Sequence, residues 1–237
     1  MSYSYDNIQD FKDIHKGKRA IVCGTGPSLN DINFDLISSD ENIIFACNQS
    51  VTALSRCDYF CLADNAIVVM PFFEYGISIA TKVIAMGRLV DLVSNCHDPD
   101  QERKLTKMLE GKVHILPRRE DMGLAFYKSG PIIRGPAGED VIHVTSHLAY
   151  IMGCREIVLA GVDLTVNNGI YCNPTTYKKE VDWSGVAPVN NPQFLDASYN
   201  TWLKVKEINS NIKFLDASPR GRLNEIFDSI PIESLYS

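Results

Sequence analysis

The chain has 237 residues, of which 45% are hydrophobic and 22% are charged, as in a globular protein that forms one large domain. Its formal net charge of −6 at pH 7 excludes a general nucleic-acid binder, because such proteins need a positive surface to displace the counterions of phosphates. We find no secretory signal and no apolar run of membrane-spanning length. We therefore expect a cytoplasmic protein with residues 1–237 in one domain.

The cysteines show no paired spacing typical of zinc sites or disulfide-rich domains. Several of them lie inside apolar runs, which predicts buried free thiols. They are Cys23, Cys47, Cys57, Cys61, Cys96, Cys154 and Cys172.

Short apolar runs alternate with amphipathic stretches along the chain. The runs predict strands at 19–23, 43–47, 59–63, 82–86, 113–116, 156–160 and 212–215, and the stretches predict helices near 98–110, 139–152 and 197–209. Such alternation is typical of a Rossmann-like, doubly wound α/β fold with a mainly parallel sheet. The loop-forming segment 166–192 is too long for a simple connection, so we expect a lid or mobile loop.

The first predicted strand stops at the turn Gly24-Thr25-Gly26-Pro27-Ser28. Glycines at this place let a backbone turn sharply and approach a ligand, and helix-start amides favour a phosphate. The turn matches neither the dinucleotide fingerprint nor a P-loop. A purely structural turn, with Ser28 as a helix N-cap, is the alternative.

Polar residues also follow the next strands. Asn48 and Gln49 follow the second, Asp64 and Asn65 the third, and Asp163 the strand at 156–160. Ligands of open parallel sheets bind outside the carboxyl ends of the strands, where these residues would meet. For Asp163, capping of a local turn is an equal alternative.

Two histidines and two arginines are further candidates. His143 and His147 lie four residues apart on one predicted helix, a spacing that suits a base or a metal ligand, but no glutamate completes a zinc-protease motif. Arg220 and Arg222 follow the last predicted strand. They could clamp a phosphate or lie in a solvated loop.

The segment Ile21–Leu29, with Cys47-Asn48-Gln49, resembles the start of the nucleotide site in bacterial lipooligosaccharide sialyltransferases, which use CMP-activated sialic acid. The stretch Ala149–Asp163, continued to Tyr171, is similar to the second half of that site. The same turn and strand end also resemble a broader group that includes flagellin-glycosylating motility accessory factors and archaeal pterin pyrophosphokinase-like proteins.

The resemblance implies a nucleotide-binding set at the strand ends. Its members are Gly24, Thr25, Gly26, Pro27, Ser28, Asn48, Gln49, Asp64, Asn65, Asp163 and Tyr171. The turn would hold the ribose and phosphate, and Tyr171 would contact a phosphate oxygen.

Two departures from the sialyltransferase pattern matter. Thr25 replaces an asparagine between the glycines, and the segment 192–198 lacks the family's histidine base. A base must reach the acceptor hydroxyl, so the role passes to His147, His143 or Asp196.

The expected function is therefore a glycosyltransferase that binds a nucleotide-activated sugar, CMP-linked by resemblance, and uses a surface-glycan acceptor without an obligatory metal. One alternative is a pterin pyrophosphokinase-like enzyme in which Asp64 and Asp163 hold Mg²⁺ on a nucleoside triphosphate. Another is a nucleotide-binding module without catalysis. The oligomeric state stays open, and a homo-oligomer is compatible with the sequence.

Overall fold

The computed structural model describes residues 6–63, 68, 70, 72–86, 98–116, 141–165, 192–208, 211–218 and 221–236. Its strands are β1 (Arg19–Cys23), β2 (Asn42–Cys47), β3 (Cys57–Leu62), β4 (Ala80–Met86), β5 (Val113–Leu116), β6 (Glu156–Ala160), β7 (Lys213–Asp216) and β8 (Asp228–Ser229). Its α-helices are α1 (Phe72–Ile79), α2 (Pro99–Leu109), α3 (Val141–Ile151) and α4 (Pro192–Ile208).

All eight strands among the described residues join one sheet in the order β5-β4-β3-β2-β1-β6-β7-β8, and every neighbouring pair is parallel. The seven predicted strands and the doubly wound α/β fold are confirmed. Strand β1 lies between β2 and β6, where the chain order along the sheet reverses. In open α/β sheets such a switch point opens a crevice at the carboxyl ends of the strands.

The core has two layers because strand side chains alternate between the faces of the sheet. Ile21 and Cys23 of β1 pack on one face with α1, α2 and the 3₁₀ helices Pro27–Asp31 and Asn48–Ala53. Ala20 and Val22 pack on the opposite face with α3 and α4. Burial on both faces explains why the strands read as continuous apolar runs.

Helix α1 is the main element that the sequence did not predict. Its segment is rich in aromatic and β-branched residues and contains Gly76, a composition with weak helix propensity. A Cβ atom on Gly76 would lie 2.5 Å from the Phe60 ring. Packing against β3 therefore explains both the helix and the glycine within it. Local helix propensity could not indicate this contact.

The described cysteines are buried free thiols, as predicted, and Cys96 and Cys172 lie outside the described residues. Burial raises the pKa of Cys57 and of Cys154 to about 12. These thiols therefore stay protonated and unreactive near neutral pH. No helix among the described residues is long and apolar enough to cross a bilayer.

Candidate functional site

The turn after β1 packs directly against the loop after β6. The Gly24 amide donates to the Ala160 carbonyl and the Gly26 amide to the Gly161 carbonyl, each at 2.7 Å. A Cβ atom on Gly24 would lie 2.5 Å from the Gly161 oxygen, and one on Gly26 would lie 2.5 Å from an oxygen of Asp163. The two glycines therefore allow close contact between two loops, whereas the sequence suggested close approach to a ligand.

Ser28 joins the same two loops through its amide and its hydroxyl. The amide donates to Oδ2 of Asp163 at 3.0 Å, and the hydroxyl donates to Oδ1. Both residues are buried. Gly26 occupies the N-cap of the 3₁₀ helix Pro27–Asp31, so the interpretation of Ser28 as the N-cap is wrong. The Asp163 carboxylate thus accepts the hydrogen bond of the Ser28 amide, which was expected to face a phosphate.

Asn48 follows β2 in a left-handed backbone conformation, which asparagine adopts more readily than most residues. Its φ is +50°, in the left-handed region, and its Oδ1 atom is buried without a hydrogen-bond partner among the described residues. A buried polar atom without a partner at a strand end points to a ligand contact. The neighbouring Gln49 is buried within the 3₁₀ helix Asn48–Ala53, so Asn48 is the better-placed residue of this pair.

Asp196 lies at the same edge of the sheet. Helix α4 leads into β7 and therefore begins near the carboxyl ends of the strands, with Asp196 in its second turn. The Arg222 guanidinium donates to Oδ1 of Asp196 at 2.8 Å, and the Arg222 amide donates to the Asp163 carbonyl at 2.9 Å. Arg222 therefore links Asp196 to the loop after β6.

The candidate histidines lie on α3, which leads into β6 and also begins at the carboxyl edge. The Cys47 thiol at the end of β2 donates to Oγ1 of Thr145 at 3.3 Å, which fixes the level of the helix. His143 lies about 3 Å above this level, toward the edge, and His147 about 3 Å below it. The exposed fraction is 3% for His143 and 0% for His147, so His143 is nearer the candidate site.

The His143 ring packs against α4. It stacks on Trp202, with the ring centroids 4.2 Å apart and an interplanar angle of 25°. Such stacking fixes the plane of the imidazole. The His143 ring therefore lies between α3 and α4 and not on an open surface.

Three predicted site residues, Asp64, Asn65 and Tyr171, lie outside the described residues, as does the lid segment up to Pro192, where α4 begins. Thr25 and Pro27 are half-buried at the switch point. The structure thus brings the turn, Asn48, Asp163 and Asp196 to one edge of the sheet.

Asp216 at the end of β7 is a buried acid that the sequence reasoning missed. Its Oδ1 accepts the Ser218 amide at 2.9 Å, and its Oδ2 is buried without a partner among the described residues. The Ser218 hydroxyl accepts the Val162 amide at 3.0 Å, which ties β7 to the loop after β6. An acid directly after the apolar pair Phe214-Leu215 was the available signal.

Burial raises the pKa of Asp216 to about 6, and the nearby Asp163 charge acts in the same direction. The folded protein therefore holds this proton more tightly than the unfolded chain, whose value lies near 3.8. The resulting stabilisation is present below pH 4 and is lost as the pH rises through 6. Its full size is on the order of 2–3 kcal/mol.

An Asp216→Asn variant should lose this pH dependence. Relative to the native chain, its free energy of unfolding should rise by about 1–3 kcal/mol between pH 4 and pH 8. Urea unfolding at both pH values measures the change, and the exposed Asp40→Asn substitution serves as the control. An equal difference between native and variant chains at the two pH values would contradict the burial of a charged Asp216.

A Ser28→Ala variant should be less stable by about 1.5–3 kcal/mol, because it removes a buried hydrogen bond to a carboxylate. Ser55 also donates its hydroxyl to an aspartate, Asp35, but is exposed. The matched Ser55→Ala variant should lose less than about 0.5 kcal/mol. Equal losses in chemical denaturation would show that the Ser28–Asp163 contact does not hold the loops together.

Among the described residues, no group of three or more histidine, cysteine, aspartate or glutamate side chains is arranged to hold a metal ion. Both oxygens of Asp163 already accept hydrogen bonds from Ser28. In this position the Asp163 carboxylate is better suited to link the loops after β1 and β6 than to bind a metal ion.

Solved structures of glycosyltransferases share the fold over most of this chain. The sialyltransferase CstII of Campylobacter jejuni in complex with the substrate analogue CMP-3FNeuAc is 16% identical, with a TM-score of 0.55 over 93% of this chain and 88% of that one. A CstII complex with cytidine-5'-monophosphate is 18% identical, with a TM-score of 0.53 over 92% and 86% of the two chains.

A third structure, the MAf glycosyltransferase from Magnetospirillum magneticum AMB-1, is 14% identical with a TM-score of 0.52. It is matched over 96% of this chain and 38% of that one. At these identities the three structures show a shared fold.

No curated protein sequence matches the chain. A family model described as 6-hydroxymethylpterin diphosphokinase MptE-like matches residues 2–169, which is more than half of the chain. The resemblance noted in the sequence is thereby confirmed at the level of family and fold. The chain belongs to the 6-hydroxymethylpterin diphosphokinase MptE-like family.

Proposed function

We propose that this protein binds a nucleotide-activated sugar, with CMP as the nucleotide, and transfers the sugar to a surface-glycan acceptor. The observation that carries the proposal is the Oδ1 atom of Asn48, which is buried at the switch point of the sheet without a hydrogen-bond partner among the described residues. The CMP complexes of CstII, which shares this fold, support the choice of nucleotide. We also propose one domain for residues 1–237, since all described strands join one sheet.

In the proposed complex, the nucleotide lies over the carboxyl ends of β1, β2 and β6. Asn48 would contact the sugar-phosphate region, and the half-buried Thr25 would face the ribose. Gly24, Gly26 and Ser28 would form the floor of the crevice, because their backbone amides already donate hydrogen bonds to other groups of the protein.

We place the base at His143. Oδ1 of Asp196 already accepts a hydrogen bond from the Arg222 guanidinium, and His147 has no exposed surface. In the transfer step the acceptor hydroxyl gives its proton to His143 while its oxygen bonds to the anomeric carbon. The bond from that carbon to the CMP phosphate breaks, and CMP leaves with the electron pair through an oxocarbenium-like transition state. Protein donors to the leaving phosphate lower this barrier.

A second candidate function is favoured by the family model, whose description names a diphosphokinase. In this reading the protein would bind ATP with Mg²⁺ and transfer a diphosphoryl group to a pterin alcohol. Asp163 would have to leave Ser28 to contact the metal. We therefore rank this candidate second.

Thermal shifts with CMP, CDP, UDP, GDP and ATP, each with and without Mg²⁺, test the proposal. Selective binding to the folded state raises stability by mass action. We expect CMP or CDP to give the largest shift, independent of Mg²⁺, and Asn48→Ala to abolish it. The exposed Asn200→Ala substitution on α4 is the matched control. A shift with ATP that requires Mg²⁺ would favour the diphosphokinase, and no shift would contradict both functions.

A further inference from the structure

The loop after β7 is held in place by backbone contacts within itself and to the loop after β6. The Gly221 amide donates to the Ser218 carbonyl at 2.8 Å, and the Arg222 amide donates to the Asp163 carbonyl at 2.9 Å. A Cβ atom on Gly221 would lie 2.9 Å from the Cα atom of Asp163. The backbone of Arg222 is therefore fixed beside the switch-point crevice.

The side chain of Arg222 is also oriented. Its guanidinium carbon lies 4.4 Å from the centroid of the Tyr199 ring, and one nitrogen donates to Asp196 at 2.8 Å. The Tyr199 hydroxyl donates to Glu225 at 2.9 Å, which steadies the ring. A guanidinium has five N–H donors, and the Arg222 side chain is 35% exposed. A stacked guanidinium with an exposed side is a preorganised fork for a second anion.

A phosphate in this crevice needs donors beyond the turn. The amides of Gly24, Gly26 and Ser28 already donate to acceptors at the end of β6 and in the loop that follows it. At the opposite edge of the sheet, Arg19 and Lys213 are paired with Glu156. Among the described arginines and lysines, Arg222 is the one bonded through its backbone to Asp163.

We propose that Arg222 binds the phosphate of the nucleotide donor and that Asp196 is its resting counter-ion, exchanged for the phosphate when the donor binds. The inference rests on the proposed function and adds a residue that recognises the donor. A phosphate offers more acceptor oxygens to a guanidinium fork than the single carboxylate oxygen now bound. It also makes Asp196 a partner of Arg222 rather than the base.

Titration calorimetry with cytidine and with CMP separates phosphate recognition from nucleoside recognition. Arg222→Gln should weaken CMP about 10- to 100-fold, the usual size for a hydrogen bond to a charged group, and leave cytidine unchanged. Arg222→Lys should weaken CMP less. Asp196→Asn should strengthen CMP several-fold, because it removes the competing anion.

The matched control is Arg103→Gln. Arg103 forms an exposed ion pair with Asp100 on α2, distant from the crevice, and its loss should change neither ligand. Equal weakening of cytidine and CMP in Arg222→Gln would show a structural role and overturn the inference, as would unchanged CMP binding. Weaker CMP binding in Asp196→Asn would overturn the counter-ion exchange.

Inorganic pyrophosphate distinguishes this inference from the proposed function. If the native chain binds neither cytidine nor CMP, the proposed function fails. Pyrophosphate binding that is lost in Arg222→Gln would then still support an anion site at Arg222. Pyrophosphate binding that is absent or unaffected by the variant would overturn the site as well.

Discussion

A Gly26→Val protein is expected to lose about 3 kcal/mol of stability, together with any nucleotide binding. The added Cβ atom would meet a carboxylate oxygen of Asp163 at 2.5 Å and the Gly161 carbonyl oxygen at 2.7 Å. Neither group can retreat without breaking the contact between the loops after β1 and β6. Overpacking of a well-packed site costs about 1–3 kcal/mol, and occasionally more. Urea unfolding followed by circular dichroism measures the loss.

Gly111 provides the control, because it has a φ of +71° and open space around its Cβ position. Gly111→Ala should therefore cost about 1–2 kcal/mol through backbone strain alone. A loss at Gly26 no larger than the loss at Gly111 would contradict the close packing of the two loops.

Loss of the base should have the largest effect on activity. A His143→Gln enzyme is expected to transfer sugar about 10²- to 10⁴-fold more slowly while its affinity for CMP stays within the native range. The reason is that glutamine keeps a planar side chain against Trp202 but cannot take the acceptor proton. Rates of transfer from a CMP-sugar, measured across pH, provide the test. The variant should also lose the pH dependence that proton transfer to His143 gives to the native rate.

His114 and His147 give the controls. His114 lies on β5 beside Asp6, away from the switch point, and His114→Gln should leave the rate unchanged. His147→Gln should lower stability, since His147 is fully buried. A native rate and pH profile in His143→Gln would rule out His143 as the base. A comparable loss in Asp196→Asn, with CMP affinity kept, would return that role to Asp196.

The elements that the sequence predicted are those whose own residues form a recognisable pattern of apolar and polar positions. Strands buried on both faces are continuous apolar runs, so β1 and β6 were located to the residue. Helix α1 is held by packing on β3, and β8 has two residues, so neither has a local pattern strong enough to predict. Tertiary contacts override local propensity in such segments.

The sequence predicted which residues lie at the carboxyl edge of the sheet, but it did not predict the contacts that they make there. Strand-end position was enough to select Asn48 and Asp163, because the carboxyl ends of parallel strands share an edge. The roles of Gly26 and Ser28 depend on contacts with Asp163, more than a hundred residues away in the chain. A single sequence carries no sign of such a pairing, so the glycines were assigned to a ligand and not to a neighbouring loop.

Burial could not be judged from the helix pattern either. His143 and His147 lie four residues apart and read as equivalent in the sequence, but the register of α3 against Cys47 places them at different depths. The level of the strand ends favours His143 over His147.

A crystal structure of the protein with CMP tests the central claim most directly, because it shows where the nucleotide lies. We predict CMP over the carboxyl ends of β1, β2 and β6, with a hydrogen bond to the Oδ1 atom of Asn48 that is unsatisfied in the described structure. CMP bound elsewhere, for example in the groove between Asn30 and Tyr75 on the α1 side of the sheet, would contradict a nucleotide site at the switch point.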